Sequence, residues 1–263
     1  MKTMKKLMIA ACCTMAVSLA AQAQTADEDR MLTNAIKYLD IPYAAHTLDL
    51  DGPEELTLNC DEVDCNTLVE YVLAESLCPI INGDVSETTF AEKIQMIRYR
   101  DGQVNGYTSR LHYITEWIDN GVQHGFLEDI TDKKSSDTQT IQLSYMSTHP
   151  QEYKQLANSP ENVQKMRQIE KRLSGQTVHY LPKDKLPYNG LAWIKNGDII
   201  AITTNTPGLD IAHMGIAFYA DGKLTLIHAS SVEGKVVASN ITLAQMLKEH
   251  KNWTGIRVVR MKK

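Results

Sequence analysis

Ile199-Ile200-Ala201-Ile202-Thr203 is an almost unbroken apolar run that follows the turn signal Asn196-Gly197-Asp198. A strand of that composition is buried on both faces, so it must lie inside a sheet with other elements packed above and below it. Residues 212–219 read as the next strand, Ala220-Asp221-Gly222-Lys223 as a hairpin turn, and Leu224-Thr225-Leu226-Ile227-His228-Ala229 as the returning strand. A short helix is expected over about 242–250 and a last strand over 255–261, while Val178-His179-Tyr180-Leu181-Pro182 is a further strand candidate.

What precedes this β-rich part reads mainly as helix. Residues 24–40 carry Met31, Leu32, Ala35, Ile36 and Leu39 on one face, and Ile41-Pro42 ends the pattern. A second helix opens at Asp64-Cys65 and stops before Pro79, with Leu68, Val69, Val72 and Leu73 at helical spacing and Asp61 or Asp64 as N-cap. A third begins near Ser86 or Thr88 with Phe90, Ile94 and Ile97. Residues 107–117 are read as helical, Ser109, His112 and Glu116 on one face and Leu111, Ile114 and the following Ile118 on another. Residues 137–149 suggest a strand, and 151–173 a charged helix interrupted near Ser159-Pro160. Helices followed by an antiparallel sheet make an α+β chain, with a helical part over about 24–174 and a β-rich part over about 175–263 in a single domain.

The first residues have a different character. Lys2, Lys5 and Lys6 precede an apolar run over 7–21 and the small-residue pattern Ala21-x-Ala23, the form of a secretory signal cleaved after Ala23. A lipoprotein box ending at Cys12 is the alternative, but it sits too early in the apolar run. Cleavage removes three lysines and no acid, taking the net charge from −5 to −8. No basic cluster points to nucleic acid, and no later apolar run is long enough to span a membrane. The expected product is an exported, most simply periplasmic, monomer.

Cys60, Cys65 and Cys78 survive cleavage, an odd number that leaves at least one thiol unpaired within a molecule. A Cys60–Cys78 disulfide with Cys65 free is one arrangement. Cys65 would sit at a helix N-terminus, where unpaired N–H groups favour a thiolate and can receive an oxyanion. His213 opens one strand and His228 closes the next, so both can stand on one sheet face. A helix-start cysteine with two such histidines is the set used by thiol hydrolases: nucleophile, base and orienting residue. Asp64, an awkward charge for a thiolate, is better cast as a cap. A metal site is not supported, since no paired C-x-x-C or H-x-x-x-H spacing occurs, and neither a phosphate-cradling glycine loop nor G-x-S-x-G is present. No cofactor is expected.

Asp64-Cys65, His213-Met214-Gly215-Ile216 and Leu226-Ile227-His228-Ala229 resemble the three motifs of NlpC-type papain-like cell-wall hydrolases. Within that superfamily the chain is similar to the N-acetylmuramoyl-L-alanine amidase-like family. The similarity extends through Pro42-Tyr43 with Thr47-Leu48, Asp64-Cys65-x-Thr67-x-x-Glu70, Ile97-Arg98-Tyr99-Arg100, Tyr107-x-Ser109-Arg110-Leu111-His112-Tyr113 with Trp117, Gly197-Asp198-Ile199-Ile200 and Gly208-Leu209-Asp210. The resemblance implies a papain-like core in which the nucleophile helix packs on a small antiparallel sheet or barrel. It implies cleavage of the amide between N-acetylmuramic acid and L-alanine in peptidoglycan fragments, anhydro-muropeptides in particular. By position it makes Cys65 the nucleophile, His213 the base, His228 the orienting residue and Tyr43 a neighbour of the oxyanion site. Arg98, Tyr107, Arg110, His112, Tyr113 and Asp210 would line the substrate groove. His46, where a small residue is usual, and Asn66 and Leu68 depart from the family pattern and bear on substrate preference. A stem-peptide endopeptidase of the same fold and a non-hydrolytic muropeptide-binding protein are the alternative functions.

Overall fold

The computed structural model describes residues 30–80 and 85–262. The expected signal segment, its Cys12 alternative and residues 24–29 of the first expected helix lie outside the described residues. Within them the helices are α1 (Arg30–Lys37), α2 (Cys65–Leu77), α3 (Glu87–Arg98), α4 (Ile114–Gln123), α5 (Pro160–Leu173) and α6 (Leu243–Glu249), with shorter helical turns between. The strands are β1 (Leu127–Asp129), β2 (Thr138–Thr140), β3 (Thr177–His179), β4 (Leu181–Pro182), β5 (Ile199–Thr204), β6 (Ile211–Ala220), β7 (Lys223–Ser230), β8 (Lys235–Ala238) and β9 (Trp253–Met261). An antiparallel sheet runs β1-β9-β5-β6-β7-β8 with β4 added on β9, and β2 pairs with β3 apart from it. The α+β layout is as expected. The sheet is open, with β1 and β8 at its ends, so the barrel alternative does not apply.

β5 is buried at every position, as its composition demands. Ile199 and Ala201 join Met214, Ile216, Phe218, Ile227 and Ala229 in a core with Leu68, Val69 and Val72 of α2. Ile200 and Ile202 join Ala217, Leu224, Leu226, Ile256 and Val258 with Leu243 and Leu247 of α6 on the opposite face. α2, which Cys65 opens, therefore packs on one side of the sheet and α6 on the other.

Six consecutive residues of α2, Leu68 to Leu73, are almost wholly enclosed, and a helix buried on every side is a core helix rather than an amphipathic surface one. Burying one such leucine contributes about 2 kcal/mol. The start of α2 is fixed by a capping box. The Asp64 carboxylate accepts from the N–H groups of Asn66 and Thr67 at 3.0 and 2.8 Å, while the Asp64 N–H donates to the Thr67 hydroxyl at 2.9 Å. Its polar Glu70 is matched across the helix pair: Arg98 of α3 donates Nε to Glu70 Oε2 at 2.7 Å and Nη1 to the Thr57 carbonyl at 2.5 Å.

Two expected elements differ. Residues 107–117 do not form one helix: Tyr107–Ser109 make a single tight turn after Gly106 (φ 74°), Arg110 pairs with Tyr99 in an isolated bridge, and α4 starts at Ile114. Leu111 N–H donates to Arg98 O at 2.8 Å, so the backbone here is bonded across to α3 rather than along a helix. The strand over 137–149 shrinks to β2. Tyr145 instead opens the helical turn Tyr145–Thr148, because the N–H groups of Ser144 and Tyr145 both donate to Gly208 O.

Removing the cap should loosen the helix on which Cys65 sits. Asp64→Ala is expected to lower stability by about 1–2 kcal/mol in urea denaturation, and Asp64→Asn, which can still accept from N2 and N3, should recover most of the loss.

Candidate active site

Cys65 is the first residue of α2, and its sulfur meets the N–H of Met214, the residue after His213. The N–H groups of Met214, Cys65 and Asn66 favour the thiolate, as a helix start should. They are outweighed. Burial first, and the Asp64 carboxylate second, push the thiol up to about 12, so the resting group is a thiol rather than the thiolate that the helix position suggests. Asp64 acts as the cap foreseen for it and as an opposing charge.

The two histidines are brought together by β6 and β7. Their ladder pairs Ile216 with Ile227, and continuing it sets Gly215 beside His228, with His213 a diagonal step further on the same face. They are therefore diagonal rather than directly opposed. His213 Nε2 and His228 Nδ1 lie 2.9 Å apart, the rings perpendicular with centroids at 4.9 Å. Gly215 makes this possible: a Cβ there would lie 2.9 Å from Ile227 O and 3.1 Å from His228 Cβ. On the other edge of β6 the register to β5 shifts between Ile202 and Thr203, which leaves Ala212 as the extra residue just before His213. Burial lowers both rings, helped at His213 by His228 and His250: His213 to about 3 and His228 to about 4. Both imidazoles are neutral at pH 7.

Tyr43 lies near Cys65. It pairs with Val63 in a parallel bridge and donates its N–H to Gly234 O at 2.9 Å. Its hydroxyl is pushed up by burial and then by Cys65 and Asp64. Next to Asp64 and Asn66 opens a cavity of about 230 Å³ whose lining includes Arg98, Tyr107, Arg110 and His112, so four of the six groove residues foreseen are gathered here. A second hollow of about 500 Å³ shares Leu48, Tyr107 and Arg110 with it. Tyr113 and Asp210 stand outside both linings. Tyr113 is enclosed in a separate core and donates its hydroxyl to Glu170 at 2.7 Å, while Asp210 accepts from the Thr115 N–H at 2.7 Å and so ties α4 to β6.

The groove residues carry little free charge. Arg110 donates Nε and Nη2 to Glu54 at 2.6 and 2.9 Å, Nη1 to Asp49 at 3.0 Å and Nη2 to Leu48 O at 2.7 Å, over the Tyr107 ring. It clamps the loop over 48–54, and neither Asp49 nor Glu54 gave a sequence signal for this. His112 packs on Tyr107, meets Tyr107 O through Nε2 at 3.0 Å, and is lowered by burial to about 4. His46 lines the cavity with φ 63° and pairs with Asp49 at 3.0 Å, so its bulk does enter the groove wall. Trp253, which stacks on His213, was not foreseen either, because that contact is made across β5 rather than along the chain. Cys60 and Cys78 are unpaired thiols, so the candidate disulfide is not formed.

Residues 34–256 match the family described as N-acetylmuramoyl-L-alanine amidase-like. A Bacteroides uniformis protein named N-acetylmuramoyl-L-alanine amidase is 69% identical over 89% of this chain and 100% of its own, with a TM-score of 0.89. A Bacteroides fragilis protein named as a candidate xylanase is 60% identical over 88% of this chain and 100% of its own, with a TM-score of 0.85. A Legionella pneumophila protein, 22% identical with a TM-score of 0.67 over 91% and 90% of the two chains, shares the fold. No curated protein matches the chain.

Gly215→Ala should break the diagonal histidine contact, with the His213–His228 separation lengthening beyond hydrogen-bond range in a crystal structure and stability falling by about 1–3 kcal/mol. The histidines also set a pH dependence. His112, His213 and His228 have folded values below the ordinary ~6.5, so the unfolded chain takes up protons first as pH falls. Their contribution to stability is complete above about pH 7 and declines below about 6.5. Denaturation midpoints should fall between about pH 6.5 and 5, before most carboxylates titrate. A flat profile there would contradict three buried neutral rings.

Proposed function

The chain belongs to the N-acetylmuramoyl-L-alanine amidase-like family, and we propose from that premise that it is a cysteine-dependent amidase acting on peptidoglycan fragments. The bond cut joins the lactyl carbonyl of N-acetylmuramic acid to L-alanine, with anhydro-muropeptides as the preferred form. The observation that carries this reading is the His213–His228 pair beside a helix-start cysteine whose sulfur lies against the Met214 N–H.

In this reading His213 engages His228 through Nε2 and uses Nδ1 as the base. The neutral His213 then carries its proton on Nε2 and donates it to His228 Nδ1, which fixes the tautomer without any proton leaving that bond. Because both partners rest neutral, the thiol proton passes to Nδ1 as sulfur attacks the lactyl carbonyl. N–H groups at the start of α2 receive the oxyanion, with Tyr43 at their border. Collapse breaks the C–N bond, and His213 returns the proton to the departing alanine nitrogen. Water, deprotonated by His213, then attacks the thioester and breaks the C–S bond, which releases the lactyl carboxylic acid and restores the thiol.

Glycoside hydrolysis is a poorer fit to these residues. It needs two carboxylates acting as acid and base or nucleophile. Those lining the cavity beside Asp64 are committed elsewhere: Asp49 to Arg110, Glu70 to Arg98, and Asp64 to the helix start.

The family's cell-wall substrate suits an extracellular or periplasmic protein, and among the described residues no helix is long and apolar enough to cross a membrane. The proposal extends to a papain-like NlpC-type core in a single domain over 24–263, export by cleavage after Ala23, and action as a monomer.

Mass spectrometry of products from purified anhydro-muropeptide decides the reaction. Wild type should release anhydro-N-acetylmuramic acid and an intact stem peptide, and Cys65→Ala neither. Shortened peptide still joined to the sugar would replace the amidase reading with an endopeptidase. Unchanged substrate together with measurable binding would replace it with a binding protein.

A further inference from the structure

The hydrogen bond from His213 to His228 leaves one freedom open. It fixes where Nε2 sits, but His228 meets the His213 ring edge-on at 90°, and a single N–H···N bond allows the imidazole to turn about its own axis. Trp253 lies over the plane of His213. The rings are 9° from parallel with centroids 5.7 Å apart. The same indole is stacked with His250, with centroids at 3.8 Å and 16° between the planes.

We propose that Trp253, backed by His250, is a positioning residue that holds the plane of the His213 imidazole and so aims Nδ1 at the Cys65 thiol. The inference rests on the reading of His213 as the catalytic base.

The stack is built into the sheet. β9 pairs Ile256 with Ile202 and Gly255 with Thr203, but the next pair is Trp253 with Thr204, so Thr254 is an extra residue. An unshifted ladder would put Thr254 opposite Thr204. The irregularity is held by the Thr203 and Thr254 hydroxyls at 2.7 Å and by Asn252 O, which accepts from the Thr204 hydroxyl at 2.9 Å and the Asn205 N–H at 3.0 Å. The turn after α6 is closed by Trp253 N–H donating to His250 O at 3.3 Å, which brings the second imidazole onto the indole. Bulges of this kind beside a site re-aim side chains. Here one precedes His213 on β6 and another follows Trp253 on β9, both at the same end of β5.

The indole is already stacked with two imidazoles of the chain itself, so its removal should act on turnover rather than on binding. An aromatic face over His213 also favours the imidazolium formed when the thiol proton arrives. The titratable groups acting on His213 are His228 on β7 and His250 beyond α6, while Cys65 at the start of α2 meets the N–H of the next residue, Met214.

The test uses two readouts on wild type, Trp253→Ala, Trp253→Phe and His250→Ala, with His213→Ala as reference. One is steady-state hydrolysis of anhydro-muropeptide. The other, which needs no substrate, is the rate of Cys65 alkylation by iodoacetamide from about pH 4 to about pH 9. Trp253→Ala is expected to lower kcat by about 10- to 100-fold with KM within about twofold, and to move the alkylation profile toward that of His213→Ala. Trp253→Phe should restore most of kcat, and His250→Ala should fall between. A folded Trp253→Ala with wild-type kcat and alkylation would overturn the proposal, and so would a loss confined to KM, or a lower melting temperature with kcat per folded molecule unchanged. If Trp253→Ala fails to fold, Trp253→Leu is judged by the same readouts. Absence of turnover by wild type would remove the proposed reaction, while the alkylation comparison would still decide whether Trp253 positions His213.

Discussion

β5 is paired along both edges and buried on both faces, and the rest of the molecule is arranged around that double constraint. A one-residue slip would turn every side chain to the wrong face, so its register cannot drift. Mismatch with its neighbours is instead taken up at one end, where β6 gains Ala212 and β9 gains Thr254. His213 and Trp253 stand at those two irregularities. The candidate base and the ring stacked on it are thus side chains displaced from a regular ladder by the rigidity of the strand between them.

Burial governs the electrostatics of the site more strongly than local dipoles do. The start of α2 offers the N–H groups that stabilise a thiolate, yet enclosure and the capping carboxylate keep Cys65 protonated. The same enclosure keeps His213 and His228 neutral. In the proposed reaction a neutral resting pair would place the proton transfer within the attack step and make the geometry of His213 matter more than its resting charge.

The arginines tell a similar story about the framework. Arg98 is closed by Glu70, Arg110 by Glu54 and Asp49, Arg100 by Glu116, Arg257 by Asp129 and Arg260 by Asp198. Breaking one of the enclosed pairs from one side would strand a buried charge, at a cost of about 3–5 kcal/mol. Two residues that the resemblance assigned to the groove, Arg98 and Arg110, line its cavity while holding α2 to α3 and the 48–54 loop in place. Their donors are largely spent on protein, which leaves a groove lined by hydrogen-bonding groups with little uncompensated positive charge.

Much of this was legible in the chain itself. The apolar run of β5, the hairpin signal Asp221-Gly222, the Asp64 cap, Pro79 after α2 and Ser159-Pro160 at the start of α5 act through period and local backbone chemistry within a few residues. Cys65, His213 and His228 could be singled out because helix start and strand ends are local properties too. Tertiary structure alone decided that the histidines meet diagonally across Gly215, that Arg110 is consumed by Asp49 and Glu54, and that residues 107–113 leave the helix to bond with α3. It alone set the thiol above its ordinary range and brought Trp253 onto His213. Each of these depends on cross-strand register or on enclosure by distant segments, and neither quantity exists until the sheet and helices have closed on one another.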